Sequence, residues 1–342
     1  MSSDQQVESI ERLVEPVVQQ AGSAISAVTT GIGSVMGGRM GTLQSTQYAD
    51  NGSSGVSAGE VDQSVYGVWM APFYSSTVHD QWKGNAGYKS VASGTTMGVD
   101  SMLNDSTSLG AAASYIVTDM KYRNAKSGDV TKAKSFVFSL YAMQQLNNNF
   151  FLQGQASFTK NSVKNIQKRV NSTSTEMATG KFSNSSASVD LMAGRDYIKK
   201  CTVITPLVGL GLSSVDGYDY QETGTTNQNL SVSASSSNQI MAIIGLRSHH
   251  TYDIDESLRI KPEMHMMARH YLAGRRPKFV TKLSGMVEDL VNKSADTKRT
   301  TGNVGFGVNV VSGNKEYGIG YDLDIAEKSL GHKFSLKARV NF

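Results

Sequence analysis

The chain has 342 residues, with 33 glycines, 5 prolines and 18% charged side chains, a charge density below the ~25% of an average soluble domain. Its net charge of +4 is too small to point to nucleic acid, and its single cysteine, Cys201, excludes a disulfide framework and any multi-cysteine metal site. A mean hydropathy of −0.28 is too low for a bundle of transmembrane helices but suits strands with one apolar and one polar side, whether in a soluble all-β protein or in a transmembrane barrel.

Residues 1–40 read as a helical segment. Val7, Ile10 and Val14 recur at helical spacing with Glu8, Glu11 and Arg12 on the other faces. Pro16 starts or kinks the next stretch, because it has no backbone N–H to donate. From Val17 to Gly38 there is no charge, yet Gln19, Gln20, Ser23, Ser26, Thr29 and Thr30 make the stretch a poor match for hydrocarbon. A slim, uncharged helix fits the lumen of a narrow barrel instead, with Ala21, Ala24, Ile25, Val28 and Gly31 as its plug residues. Twenty helical residues cover roughly 30 Å, about the thickness of a membrane core. Met1 to Gln6 lack the basic and apolar regions of a secretory signal, so an exported chain of this kind is expected to be a fragment of a longer one. Residues 41–63 are rich in Ser, Gly, Asn and Asp and read as a flexible linker.

Residues 64–342 alternate in period two. Leu109, Ala111, Ala113, Tyr115 and Val117 form one face of a strand, as do Leu152, Gly154, Ala156 and Phe158, and Ala187, Val189, Leu191 and Ala193. Further on, Ile204, Pro206, Val208, Leu210 and Leu212 oppose Thr205, Leu207, Gly209 and Gly211. Between 258 and 271, Leu258, Ile260, Pro262, Met264, Met266 and Ala268 oppose Arg259, Lys261, Glu263, His265, Met267 and Arg269. The last strand sets Phe334, Leu336, Ala338, Val340 and Phe342 against Ser335, Lys337, Arg339 and Asn341. The stretch around Val65–Ser75 is apolar on both faces and has no readable orientation. The count is about twelve strands: 65–75, 91–103, 107–119, 132–146, 149–162, 184–198, 202–214, 238–252, 256–272, 299–312, 315–325 and 331–342. Short connections such as Asn147–Asn149 and Ser312–Asn314 alternate with long ones at 120–131, 163–183, 215–237 and 273–298, the asymmetry of outer-membrane barrels. About eight strands leave an interior filled by side chains and 16–18 an open channel. Twelve therefore leave room for one helix ~10–12 Å across. The fold expected is an all-β, ~12-stranded antiparallel transmembrane barrel with an N-terminal helix in its lumen.

On these residues the chain resembles the translocator β-domain of type V autotransporters, nearest to the surface-cell-antigen autotransporters of obligate intracellular bacteria. The resemblance covers nearly everything from residue 17 onward. It rests on Gly67-Val-Trp-Met-Ala-Pro-Phe-Tyr74, Thr96-Met-Gly-Val-Asp100, Thr205-Pro-Leu-Val-Gly-Leu-Gly-Leu212, Tyr218-Asp-Tyr-Gln-Glu222, Ile244-Gly-Leu-Arg247 and the terminal Phe342. The order of these pieces carries it, not any one of them. The chain departs from the family in its ninth strand, where Met264-His265-Met266-Met267 replaces a tryptophan and a His-Glu pair, and in the basic stretch 273–298. The resemblance implies an outer-membrane protein at the cell surface that exports its own upstream passenger. It also implies insertion by the barrel-assembly machinery, which reads Phe334, Leu336, Ala338, Val340 and Phe342. A monomer in contact with outer-membrane lipid is expected, with no enzymatic activity, cofactor, metal or nucleic acid. A stand-alone porin or adhesin barrel and a soluble β-sandwich are the other readings of the same alternation.

The candidate pore-lining residues are Asp100, Asp190, Arg259, Lys261, Glu263, His265 and Arg269. Their simplest role is a hydrated, mutually compensating lining; a sharper one is to grip the plug or set ion selectivity. His249, His250, His265 and His270 have no carboxylate or cysteine at metal-ligand spacing, and His249 and His250 point to opposite faces of a strand. No serine sits in a Gly-x-Ser-x-Gly elbow, and Gly305-Phe-Gly is followed by no helix pattern that would make it a phosphate loop.

Overall fold

The computed structural model describes residues 66–82, 86–104, 106–170, 174–255, 257–275, 277–283, 290–293 and 299–342. The helical segment and linker expected over 1–63, with Ala21, Ala24, Ile25, Val28 and Gly31, lie outside the described residues.

Twelve long strands follow one another: β1 (Tyr66–His79), β2 (Tyr88–Asn104), β3 (Thr107–Tyr122), β4 (Val130–Gln145), β5 (Phe150–Val170), β6 (Thr175–Arg195), β7 (Thr202–Val215), β8 (Ser237–His250), β9 (Leu258–Arg275), β10 (Thr300–Ser312), β11 (Lys315–Ala326) and β12 (Ser329–Asn341). Each pairs antiparallel with its neighbours in sequence, and β12 returns to β1 over the register Gly67↔Asn341 to His79↔Ser329. Two short pieces, Tyr197–Lys199 and Tyr252–Asp253, prolong the hairpins at one end. The sheet is thus a closed barrel with no free edge, which is how strands satisfy every backbone group in hydrocarbon.

Alternation decides what each side meets. On β4, Thr131, Ala133, Ser135, Val137, Ser139 and Tyr141 are buried, whereas Phe136, Phe138 and Leu140 between them are exposed. The same inversion runs round the barrel, with Leu191 61%, Ile244 62% and Ile319 61% exposed. A soluble protein would hide these side chains; a membrane barrel shows them to lipid. β1 now has an orientation: Trp69, Ala71 and Phe73 are buried, while Val68, Met70 and Tyr74 are exposed. The apolar outer run of β3, Leu109 to Val117, covers about 27 Å along the strand, or roughly 20 Å across a membrane at a ~40° tilt, near the ~25 Å band of known barrels. Exposed aromatic residues mark both limits. Tyr66, Phe150, Tyr197, Tyr252, Tyr317 and Phe342 ring the short-turn end, and Tyr74, Tyr115, Phe136, Phe158 and Phe334 stand at the other. Tight turns at the first end include Asn148 and Asn149 at φ 60° and 61°, and Gly313 at φ 55°.

The sequence places long loops at 120–131 and 163–183, and the structure corrects this: β3 and β4 reach Tyr122 and Val130, and only residues 171–174 separate β5 from β6. Alternation of apolar and polar residues stops where lipid stops, so Lys160, Ser162 and Lys164 hide a strand that continues beyond the membrane. The stretches 215–237 and 273–298 also hold strands. Tyr218–Gln221, Leu230–Ala234, Lys278–Leu283 and Leu290–Lys293 form a second, four-stranded antiparallel sheet. It joins the β7–β8 and β9–β10 connections through Leu230–Ala234 paired with Phe279–Leu283.

Candidate translocation pore

The inward face divides into two halves. On β2–β5 neutral hydroxyls and amides pair across strands: Thr96 with Ser114 at 2.9 Å, Ser135 donating to Asn161 at 2.6 Å, and Ser139 with Ser157 at 2.8 Å. Facing inward beside them is an apolar cluster that includes Trp69, Phe73, Ile116, Val137, Tyr141 and Leu207. On β8–β12 the face is charged, and several of its charges meet in ion pairs.

Asp100 on β2 accepts from the Tyr141 hydroxyl at 2.9 Å and from Arg339 Nη2 at 2.8 Å, while Trp69 Nε1 donates to the same tyrosine oxygen at 2.9 Å. Two close approaches make room for this chain. A Cβ on Gly98 would stand 2.6 Å from the Trp69 indole, and one on Gly110 would stand 2.2 Å from the Tyr141 ring. Both rings lie flat along the wall only because the facing residue has no side chain.

Asp190 on β6 accepts from Gln155 Nε2 at 2.9 Å and from both Arg269 Nη atoms at 3.2 Å. Arg269 stands on β9, so the pair spans two intervening strands. Glu263 on β9 and Lys337 on β12 meet at 2.9 Å across β10 and β11. His265 Nε2 lies 3.0 Å from Asp322 and 2.7 Å from Asn303, Lys333 reaches Asp322 at 3.1 Å, and Asn303 donates to Asp324 at 2.8 Å. Arg247 on β8 donates to Gln153 on β5 at 3.0 Å. Lys261 is buried on the same face. Arg259 is set apart: it lies at the short-turn end, partly exposed and 3.9 Å from Asp253. Charges taken from water are tolerated when they find counter-charges and hydrogen bonds, as Asp100, Asp190, Glu263 and Asp322 do here.

Of the sequence candidates, Asp100, Asp190, Glu263, His265 and Arg269 enter these contacts. Sequence reasoning missed the partners Trp69, Tyr141, Asp322, Lys333, Lys337 and Arg339: alternation on β11 and β12 turns the last four inward but does not say which strand they reach, and the doubly apolar β1 gives Trp69 no orientation at all. His250 shares a hydrogen bond with Thr202 at 2.7 Å and His270 with Thr300 at 2.9 Å, so both rings are engaged within the wall. On β12, Phe334, Leu336 and Phe342 are exposed on the outer side, with Ala338 and Val340 between them. Phe342 closes the seam by exchanging backbone hydrogen bonds with Tyr66 at 2.9 and 3.4 Å.

Beyond the apolar band the four-stranded sheet rests on the inward side of β4–β6. Tyr220, Leu230, Val232, Ala234 and Phe279 pack with Ala133, Val163 and Phe182. Phe182 and Tyr218 stack at 3.9 Å with 5° between their planes. Arg169 on β5 holds both carboxylate oxygens of Glu222 at 3.0 and 2.9 Å, with side chains 1% and 0% exposed, and the Leu230 N–H donates to the same carboxylate at 3.0 Å. Burial pushes the Glu222 carboxyl up from its ordinary range, and Arg169 and the Leu230 N–H pull it back. Burial likewise pushes the Tyr218 hydroxyl well up, whereas hydrogen bonds from Thr226 hold the exposed Glu176 down.

Against known proteins, the family described as "Autotransporter beta-domain" matches residues 68–324. Outer membrane protein B of Rickettsia typhi is 34% identical over 97% of this chain and 21% of its own length. Outer membrane protein A of Rickettsia conorii is 32% identical over 84% of this chain and 14% of its own length. The chain thus spans about a fifth or less of the length of these relatives. Among solved structures, the translocator domain of the autotransporter NalP from Neisseria meningitidis superposes with a TM-score of 0.64 at 14% identity, covering 92% of this chain and 98% of that one. The beta domain of the Bordetella autotransporter BrkA gives 0.59 at 15% identity, covering 81% and 100%. These two likenesses speak for the fold alone. Sequence kinship and the closed wall agree: the chain belongs to the autotransporter beta-domain family, proteins of the bacterial outer membrane and cell surface.

Proposed function

We propose that this barrel anchors and exports an upstream passenger to the bacterial cell surface, with residues 17–38 threading the lumen as a helical plug. The observation that carries this reading is the two-sided wall. Its apolar outer band fits lipid, and most of its inner acids are closed in ion pairs, so a passing chain meets hydroxyls, amides and paired charges of both signs rather than an open field of one sign. Asp100, Asp190, Lys261, Glu263, His265 and Arg269 line that path and contact the plug through Ala21, Ala24, Ile25, Val28 and Gly31, whose small side chains and lack of charge suit a narrow channel. Arg259 marks its periplasmic mouth. The barrel-assembly machinery recognises Phe334, Leu336, Ala338, Val340 and Phe342, a continuous apolar outer edge ending on an aromatic residue. One copy suffices, since a closed sheet leaves no edge for a second. No catalytic step belongs to this reading.

A reporter domain fused upstream of Met1 tests it. On intact cells the reporter is expected to be accessible to added protease. A correctly assembled barrel that leaves the reporter in the periplasm would overturn export and favour a stand-alone porin.

A further inference from the structure

Beyond the aromatic limit at Phe136 and Phe158, the outer faces of β4–β6 change from apolar to cationic. Lys132 and Lys134 on β4, Lys160 and Lys164 on β5 and Lys181 on β6 are all exposed there. Lys132 stands directly opposite Lys164, and Lys164 directly opposite Lys181. Like charges at such positions, with Cβ atoms ~5 Å apart, destabilise a sheet unless an anion lies between them. Lys134 and Lys160 stand closer to the membrane, opposite Ser162 and Phe136, so they are diagonal neighbours ~7–8 Å apart. Among the described residues none of the five is in an ion pair. Asp119 is the nearest acid in register, opposite Lys132, and Lys160 donates only a 3.5 Å hydrogen bond to Ser185. The arrangement is one-sided: the corresponding outer positions of β7, β8 and β12 carry Ser214, Asn238 and His332.

Lys134 and Lys160 each lie two residues past the last aromatic ring, about 7 Å along a tilted strand, at the level of lipid headgroups. A lysine stem can lie along the apolar wall while its ammonium stays in that layer. We propose that Lys132, Lys134, Lys160 and Lys164 form a binding site for the phosphate-bearing headgroup of a lipid in the outer leaflet. The lipid's acyl chains lie against Phe136, Phe138 and Phe158 below, and its phosphate separates the opposed ammonium groups.

The test uses the full chain, folded in neutral detergent, with lipid A as the probe and phosphatidylcholine as the comparison, the retained lipid being counted by native mass spectrometry. The unaltered chain is expected to retain lipid A in preference. Lys→Gln at all four positions is expected to lower that retention at least tenfold, because each substitution removes one ammonium that faces the phosphate. Lys→Arg at the same positions should keep it. Heat-modifiable migration reports folding, and the milder pair Lys132→Gln/Lys164→Gln is expected to give a smaller loss in the same direction. Equal retention by the Gln and unaltered chains overturns the proposal. Complete displacement of the lipid by inorganic phosphate would overturn its assignment to a lipid.

Discussion

At the scale of single residues, inward-facing groups are held by partners far away in sequence. Asp100 is satisfied from 41 residues away by Tyr141 and from 239 away by Arg339. Arg169 and Glu222 do the same above the membrane and tie the four-stranded sheet to β5. Arg169→Met removes the pull that opposes burial, so the Glu222 carboxyl rises further. A carboxyl whose folded pKa is raised binds its proton more tightly when folded, so stability is fully present below the ordinary unfolded carboxyl range and is lost as pH rises from there through the folded pKa. The expected loss at the high end is about 3–5 kcal/mol, the cost of a buried unpaired charge. Hydrogen exchange of the Leu230–Ala234 amides should therefore show protection falling from mildly acidic to neutral pH in the variant. Arg169→Met/Glu222→Leu should show no such fall. The residues themselves were legible in part: period two is enough to turn Asp100, Asp190, Glu263, His265 and Arg269 inward. Which group each one meets depends on register and on the stagger of a closed sheet, and neither is written locally.

At the scale of elements, a strand's outer face records the height of the surrounding medium. On β6 the outer positions run from Lys181 and Ser183, through Ala187, Val189 and Leu191, to Arg195. Leu191→Arg is therefore expected to cost ~2–4 kcal/mol of folding stability in bilayers, and Ser183→Arg ~0–1 kcal/mol, as measured by denaturant titration of tryptophan fluorescence. Equal costs would mean that the apolar band is wrongly placed. On β12, Phe342→Ala removes a ring at the seam with β1 and is expected to lower the fraction inserted into the outer membrane severalfold, read by heat-modifiable migration of membrane fractions. The extent of β7 and β10–β12 was legible because lipid writes a strict apolar alternation. The outer halves of β5 and β6 were not. There Asn165, Gln167 and Arg169 are buried on the inward side while Lys164 and Lys168 lie on the outer side, so both sides are polar and the pattern resembles a loop. The four-stranded sheet was hidden for a further reason: its strands are four to six residues long and come from connections separated in sequence by all of β8 and β9.

At the scale of the whole molecule, the strand count and the closed topology follow from one rule, that no backbone edge is left in hydrocarbon. Twelve strands were countable from sequence because each turn interrupts the alternation; how wide a path they leave is a property of closure. If residues 17–38 occupy that path, deleting residues 1–40 should raise single-channel conductance in planar bilayers substantially, and unchanged conductance would contradict the plug. All of this depends on lipid touching the outer faces. The most direct measurement is a nitroxide scan from Leu109 to Val117 in a Cys201→Ser background, recording collisions with oxygen dissolved in the bilayer. High accessibility at Leu109, Ala111, Ala113, Tyr115 and Val117, alternating with low values at the residues between, is the expected result. A flat profile, or one with the opposite phase, would contradict the membrane-spanning barrel.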